Sequence, residues 1–203
     1  MATLTRTVAA SADDAYERGD NTGFSAVIAT MQANSVVGGI HGVVAFRFTN
    51  ITITGDATIN TAVLRLTCAS TKQDDANVVI YCEDVDDSAN FTDTADVVDR
   101  ARTTASTSWV TDGLGTSEVT SPDFAAAVQE VIDRASWASG NDLTVIFVGN
   151  SDTFKNFGIF AEDDASGAPA SIDLDYTEPG GGANPKNVMH GIMLDGPMRR
   201  VVL

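Results

Sequence analysis

The sequence is poor in cysteine and in basic side chains. Cys68 and Cys82 are its only cysteines, too few for the disulfide framework of a small secreted scaffold. Twelve Lys and Arg residues stand against 28 Asp and Glu residues, which leaves a formal net charge of -16. A surface of that sign repels the phosphates of nucleic acids, so direct binding of DNA or RNA is disfavoured.

Long hydrophobic runs are also missing. No stretch approaches the roughly 20 apolar residues that a membrane-spanning helix needs, so we expect no membrane insertion. The opening MATLTRTVAASADDAYERGD lacks the uninterrupted apolar core of a signal peptide. The expected location is therefore the cytoplasm in which the chain is made, or a virion assembled there. An extracellular location is the alternative.

Motifs of the common catalytic sites are absent. The chain contains neither a P-loop nor a G-x-S-x-G nucleophile motif. His41 and His190 lie far apart in sequence, and the two cysteines match no spacing of metal ligands. Nothing singles out, among 28 acidic residues, the carboxylate pair that glycoside hydrolysis requires. We therefore expect a protein that is not an enzyme.

A dense β-strand signal is what the sequence does contain. In HGVVAFRFTNITI, Val44, Phe46 and Phe48 alternate with Ala45 and Arg47, the period of two that is typical of a strand. Further short runs are INTAVLRLTCAS, VVIYCEDV, NDLTVIFVGN, FKNFGIFAED and ASIDLDYTE. The pattern predicts an all-β fold, an antiparallel jelly-roll β-sandwich with one covering α-helix and an extended C-terminal arm.

The two cysteines lie on these predicted strands, at even positions shared with Leu64, Leu66 and Ile80. Even spacing places both thiols on the apolar faces of their strands. We expect buried free thiols, and a cross-strand disulfide is the alternative.

One segment, SPDFAAAVQEVIDRASW, has the pattern of a helix. Ser121 is the expected N-cap, Pro122 the first helical residue, and Asp123 an acidic side chain in the first turn. Gly140 is the expected stop signal after the helix. The apolar stripe, which should cover one open end of the sheet pair, consists of Phe124, Val128, Val131 and Ala135.

The order of these elements resembles a known family. The segments concerned are ASADDAYER, VVAFRFTNITITGDATINTAVLRLTCAS, NVVIYCEDVDDSANFTD, SWVTDGLG, FAAAVQEVIDRA, NDLTVIFVGN and FGIFAEDDASGAPASIDLDY. Together they resemble DNRLRE-type domains, jelly-roll modules that are similar to carbohydrate-binding modules and to the disaggregatase-related repeat. The resemblance spans roughly residues 8–178 and implies a jelly-roll fold more strongly than any one function.

The chain changes character after the sandwich domain, residues 1–178. That domain carries a formal charge of -18, whereas residues 179–203 carry +2. EPGGGANP is a flexible hinge, and the apolar strip VMHGIMLDGPMRRVVL is too short to bury its own side chains. We expect residues 179–203 to be a docking arm, and a disordered terminus is the alternative.

The end of the arm, MRRVVL, is strand-like and suits addition to an exposed sheet edge of a neighbour. Its arginines suit the acidic body of another copy. The residues expected to dock are Met193, Leu194, Met198, Arg199, Arg200, Val201, Val202 and Leu203.

Clusters of acidic residues in predicted loops are candidate calcium ligands, because calcium takes six to eight oxygens. Related jelly rolls hold a structural calcium near the meeting point of the first and last strands. The resemblance therefore implies a calcium site formed by Asp13, Asp14, Glu162 and Asp163. Solvated loop charges are the alternative, and no other cofactor is expected.

Exposed aromatic rings would be needed for stacking against sugars. Most aromatic residues fall on strand positions that predict core packing. The residues left for a glycan-binding platform are Tyr16, Phe24, Phe91 and Trp109. Core packing is the favoured interpretation for these as well.

These features together predict a non-enzymatic structural subunit of a larger assembly. The expected instance is a phage virion accessory protein, such as a head decoration, neck or tail protein. Its arm would bind other copies of itself, a capsid protein or a tail protein. The alternatives are a carbohydrate-binding module that attaches to surface glycans and a subunit of an extracellular filament.

Overall fold

The structure is a computed structural model that describes residues 1–17, 30–33, 36–37, 40–68, 77–92, 94–111, 117–150, 157–160, 162 and 168–179. Its strands are β1 (Ala2–Thr7), β2 (Asp14–Glu17), β3 (Thr30–Ala33), β4 (Val36–Val37), β5 (Ile40–His41), β6 (Val43–Phe48), β7 (Thr58–Thr67), β8 (Val78–Cys82), β9 (Thr107–Trp109), β10 (Glu118–Thr120), β11 (Leu143–Gly149), β12 (Phe157–Phe160) and β13 (Ser171–Thr177). Its helices are a 3-10 helix (Ser11–Asp13), α1 (Thr94–Val98) and α2 (Ala125–Ile132). None of these helices is both long and apolar enough to cross a bilayer.

Most of the strands belong to two antiparallel sheets. One sheet has the order β1-β13-β7-β10 and the other has the order β2-β6-β11-β8-β9. The sheets enclose one apolar core, to which both contribute fully buried side chains, among them Leu64, Ile172, Phe46, Phe147 and Ile80. This arrangement confirms the predicted all-β antiparallel sandwich.

The five-stranded sheet is buried on both faces at its two central strands, β6 and β11. β6 and β11 are buried along almost their whole length, including Ala45 in the middle of β6. On the face turned away from the main core, Ala45 and Ile146 pack with Phe91 and Val97 in a second apolar cluster. Helix α1 and the loop 83–92, called the pinned loop below, supply Val97 and Phe91 to this cluster.

A buried arginine holds the pinned loop in place. The Arg100 guanidinium donates hydrogen bonds to the Glu83 carboxylate at 2.7 Å and to the Asn90 carbonyl at 3.1 Å. It also pairs with Asp96 at 3.1 Å and lies 4.2 Å from the centre of the Phe91 ring. The Asp96 carbonyl also accepts from Arg100 Nε at 2.7 Å, so the buried charge is matched by two carboxylates, two carbonyls and an aromatic face.

Two further arginines hold the same loop from other elements. Arg47 projects from β6, and Arg134 follows α2. Their partners are the carboxylates of Asp13, Asp84, Asp86 and Asp142 and the carbonyl of Ser88. The acidic residues of the pinned loop are thus mostly engaged in ion pairs that fix its course.

Helix α2 begins later than the sequence predicts, at Ala125. The predicted N-cap, Ser121, is wrong because its hydroxyl accepts the Leu64 N–H at 2.9 Å and so belongs to β7. Asp123 accepts the N–H of Ala125 at 2.9 Å, and also that of Ala62 at 2.9 Å. Contacts with the neighbouring strand therefore decide where this helix starts.

The same helix ends at Ile132, well before the predicted stop at Gly140. Phe124, Val128 and Val131 are buried as predicted, but Ala135 is exposed because it lies beyond the last helical turn. Gly140 instead adopts a φ of 104° in the turn that leads into β11. A left-handed backbone of this kind favours glycine.

Both cysteines are buried free thiols, as expected, and the alternative disulfide is not formed. Burial raises the pKa of the Cys82 thiol well above its usual value, with a further contribution from the charge of Glu130. The thiol therefore stays protonated and packs as a small apolar side chain.

We expect the substitution Arg100→Met to lower the free energy of unfolding by about 3–5 kcal/mol, because it leaves Glu83 buried without its counter-charge. The measurement is urea unfolding followed by circular dichroism. Arg65→Met is the matched control, since the Arg65 side chain is 50% exposed and its loss should be much less costly. Equal losses in the two variants would contradict this role of Arg100.

Acid should weaken the contact between α2 and the segment before β9. The N–H groups of Ala105 and Thr104 each donate to the Glu130 carboxylate at 2.8 Å and hold its pKa below the usual 4.5. Because the pKa is lower in the folded state, this stabilisation is present above pH 4.5 and is lost as the pH falls further. Glu130→Gln should therefore be less stable at pH 7 and lose less stability on acidification, as measured by thermal unfolding between pH 7 and pH 3. A variant with the wild-type pH profile would count against this contact.

Candidate functional site

The outward face of the four-stranded sheet is polar and rich in threonine. Along β1, Thr3, Thr5 and Thr7 are exposed while Leu4 is half-buried against the core, because successive side chains of a strand point to opposite faces. The same alternation operates along β7 and β13. The threonine face, as we call it, consists of Thr3, Thr5, Thr7, Thr61, Val63, Arg65, Ser171, Asp173 and Asp175.

Asp173 is the centre of this face. Its carboxylate accepts a hydrogen bond from the Thr5 hydroxyl at 2.7 Å and another from Arg65 Nε at 2.5 Å. Partial burial acts in the opposite sense, yet these hydrogen bonds and the charge of Arg65 lower the pKa of Asp173 below its usual value. Arg65 Nη1 in turn lies 3.8 Å from Glu118 Oε1 on β10, so a series of ion pairs runs across the sheet from β13 through β7 to β10.

A shallow groove of about 380 Å³ runs across this face between β1, β13 and β7. Its lining combines hydroxyl and charged side chains with three apolar residues, Val63, Leu4 and Leu174. Asp175 also lines the groove, and no partner for its carboxylate is found among the residues that the structure describes. The face therefore offers a free negative charge next to β1.

The backbone of β1 adds a second feature to this site. The Val8 N–H donates to the Ala170 carbonyl at 2.9 Å, which continues the register of β1 with β13. In an antiparallel pair only alternate residues are hydrogen-bonded to the partner strand. The even-numbered residues of β1 thus bond to β13, and the N–H and C=O groups of Thr3, Thr5 and Thr7 point away from it.

These outward groups form what we call the open edge. Over the described ranges no strand pairs with this side of β1. The one hydrogen bond found there within those ranges is donated by Arg6 Nη1 to the Thr5 carbonyl, at 3.0 Å. The outer strands at the other sheet margins are shorter, with three residues in β9 and β10 and four in β2. The open edge is therefore the longest template for an added strand within the described part of the two main sheets.

The candidate calcium site is only partly assembled. Asp14 accepts the Glu162 N–H at 2.7 Å, so these two residues do meet as expected. Asp13 instead pairs with Arg47, which supplies the positive charge that a cation would supply. Asp163 lies outside the described residues, and among those described no group of three or more metal-binding side chains occurs. This corrects the role expected of Asp13.

The candidate glycan platform is corrected more fully. Phe91 is 3% exposed beneath the Arg100 guanidinium, and Trp109 is 5% exposed with its ring edge-on to Phe147. Tyr16 is half-buried against the main core. Phe91 and Trp109 are therefore core residues and cannot present a flat ring to a sugar, in agreement with the core packing favoured for them above.

The expected docking residues cannot be compared with the structure. Met193, Leu194 and the segment 198–203 lie outside the described residues, as does Phe24.

Comparison of the chain with protein-family models and with curated proteins found no match. The resemblance to DNRLRE-type domains therefore stays an expectation.

The threonine face is the feature that sequence reasoning missed. Its signal is present in ATLTRT, where every second residue is threonine, and in SIDLDY, where two aspartates alternate with apolar residues. Alternation of polar residues predicts an outward face as clearly as alternation of apolar residues predicts a core.

We expect Trp109→Ala to lower the free energy of unfolding by about 3–5 kcal/mol, because the indole is packed in the core. The adjacent Val110→Ala is the control, since Val110 is 67% exposed and should change stability by about 0.5 kcal/mol or less. The measurement is urea unfolding followed by circular dichroism. A stable Trp109→Ala variant would contradict the core assignment.

Proposed function

We propose that this chain is a non-enzymatic structural subunit of a larger assembly, in which residues 179–203 act as the docking arm. The observation that carries the proposal is the division of charge and apolar groups along the chain. Residues 1–178 have a net charge of -18, and the arm has +2 together with a strip of apolar residues. An arm of this composition is complementary to the body of another copy.

The distribution of ion pairs in the body supports this complementarity. Arg47, Arg100 and Arg134 each face at least two carboxylates within the fold. These three arginines are thus occupied within the fold, and carboxylates without such a partner among the described residues, Asp175 for example, contribute negative charge to the outer surface. An acidic surface attracts a cationic arm over several ångströms and also keeps unassembled copies apart.

The place at which the chain leaves the sandwich also supports the proposal. β13 ends at Thr177, and its Tyr176 lies opposite Ala2, the first residue of β1. The hinge therefore starts at the rim of the sheet that carries the open edge. An arm anchored there begins at a surface suited to contact between subunits.

A phage virion accessory protein is the instance of this role that we propose, at a head decoration, neck or tail position. A jelly-roll connectivity of the sandwich belongs to the same proposal. The acidic body would face outward and limit clumping of particles. Other copies of the chain, or a capsid or tail protein, would receive the arm.

Removal of residues 179–203 should leave a folded body that no longer assembles. The core described above lies entirely within residues 1–178, so the thermal unfolding midpoint should change little. Sedimentation velocity over a range of concentrations should show the full chain associating and the shortened chain remaining a monomer.

The double variant Arg199→Glu, Arg200→Glu is the matched control for length. It keeps the full length of the arm and reverses the charge of two side chains. Its association should be weaker than that of the full chain and should strengthen as salt is added, because salt screens the new repulsion between the arm and the acidic body. A shortened chain that associates as the full chain does would overturn the proposal, and a full chain that stays monomeric would exclude other copies as the receiver of the arm.

A further inference from the structure

We infer that the open edge of β1 is the acceptor for residues 198–203 of a second copy, which would add to the four-stranded sheet as a fifth strand. This inference rests on the proposed function and names the surface that the arm binds. It is an interaction between copies of the same chain, made first by main-chain hydrogen bonds.

The first support is the unsatisfied backbone of β1. The N–H groups of Thr3, Thr5 and Thr7 point away from β13, and within the described residues they have no hydrogen-bond acceptor. An edge of this kind pairs readily with a strand from another chain. β1 contains no proline and no bulge that would prevent such pairing.

The second support is the composition of the arm. MRRVVL has six residues, the same number as β1, and contains two adjacent β-branched residues and no proline. Side chains of a strand alternate between the two faces, so one of Arg199 and Arg200 faces outward in either orientation of the strand. Asp175, which lies opposite Thr3 on the next strand, offers the negative charge for that arginine.

The third support is the apolar rim beneath β1. Leu4 is only half-buried at the margin of the main core, because β1 is the last described strand on that side of the sheet. An added strand whose inward side chains include a valine would cover Leu4 and extend the core by one row. Arg6 must release the Thr5 carbonyl for the complete ladder to form.

A proline substitution tests the main-chain pairing. Thr5→Pro removes an N–H group that points to the open edge and takes no part in pairing with β13, so the fold should be kept. Thr120→Pro is the matched control. Its N–H points away from β7 on the opposite edge of the same sheet, as shown by the Ser121 N–H bonding to the Leu64 carbonyl.

In the full-length chain, Thr5→Pro should raise the dissociation constant of self-association at least about tenfold, through the lost hydrogen bond and a blocked strand. Thr120→Pro should leave it within about twofold. Equal effects in the two variants, or no effect in Thr5→Pro, would overturn the inference. If removal of residues 179–203 abolishes association but Thr5→Pro does not, the docking arm stands and its assignment to β1 fails.

Disulfide trapping between separately purified full-length chains tests which copy supplies the arm. Thr5→Cys and Val201→Cys chains, one carrying a mass tag, are mixed in an oxidising glutathione buffer. The native thiols are buried and should not compete. A mixed disulfide dimer should form with Thr5→Cys and not with Thr120→Cys, the control on the opposite edge.

The double variant Thr5→Cys, Val201→Cys separates binding of a second copy from binding of the same molecule. In dilute solution the inference expects no disulfide between the two introduced cysteines, each of which exchanges with glutathione instead, and interchain disulfides appear as the concentration rises. A disulfide that closes within monomers at every concentration would show that the arm folds back on its own sheet, and would overturn the inference.

Discussion

Pairing of three arginines with carboxylates is the interaction on which this architecture depends. A chain with 28 acidic and 12 basic residues has a strong tendency to repel itself when compact. Arg100 and Arg134 reduce that repulsion by pairing with carboxylates of the pinned loop, and Arg47 does so by pairing with Asp13 and Asp142 beside it. The pinned loop completes the second apolar cluster, because its Phe91 packs there with Ala45 and Ile146 of the five-stranded sheet. Electrostatic pairing and apolar burial are therefore coupled on this side of the molecule.

The consequence for function is an asymmetry between the two sheets. The outer face of the five-stranded sheet is closed by the pinned loop and α1, whereas the threonine face carries hydroxyls, the Arg65–Asp173 pair and the free Asp175. The open edge of β1 borders this same face. Surface chemistry and unpaired backbone thus meet along β1, at one margin of the four-stranded sheet.

The sequence alone predicts the sandwich and much of its core, since alternation along a strand is a local property. Phe46, Phe48 and Leu64 are buried for the reason that their spacing predicts. The start of α2 could not be predicted in this way, because the Ser121 hydroxyl is taken by β7, which lies far away in sequence. The burial of Phe91 could not be predicted from spacing either, since it depends on a loop held by Arg100. The site at β1 depends on strand order, and no spacing of residues reveals which strand of a sheet lies at its margin.

The shielding of the two thiols has a consequence for where such a molecule can operate. Cys68 and Cys82 lie wholly inside the packed core, and a protonated thiol without access to solvent reacts slowly with oxidants. The stability of the fold is then independent of whether its surroundings are reducing or oxidising. A chain whose thiols are shielded in this way keeps the same covalent structure in a reducing and in an oxidising environment.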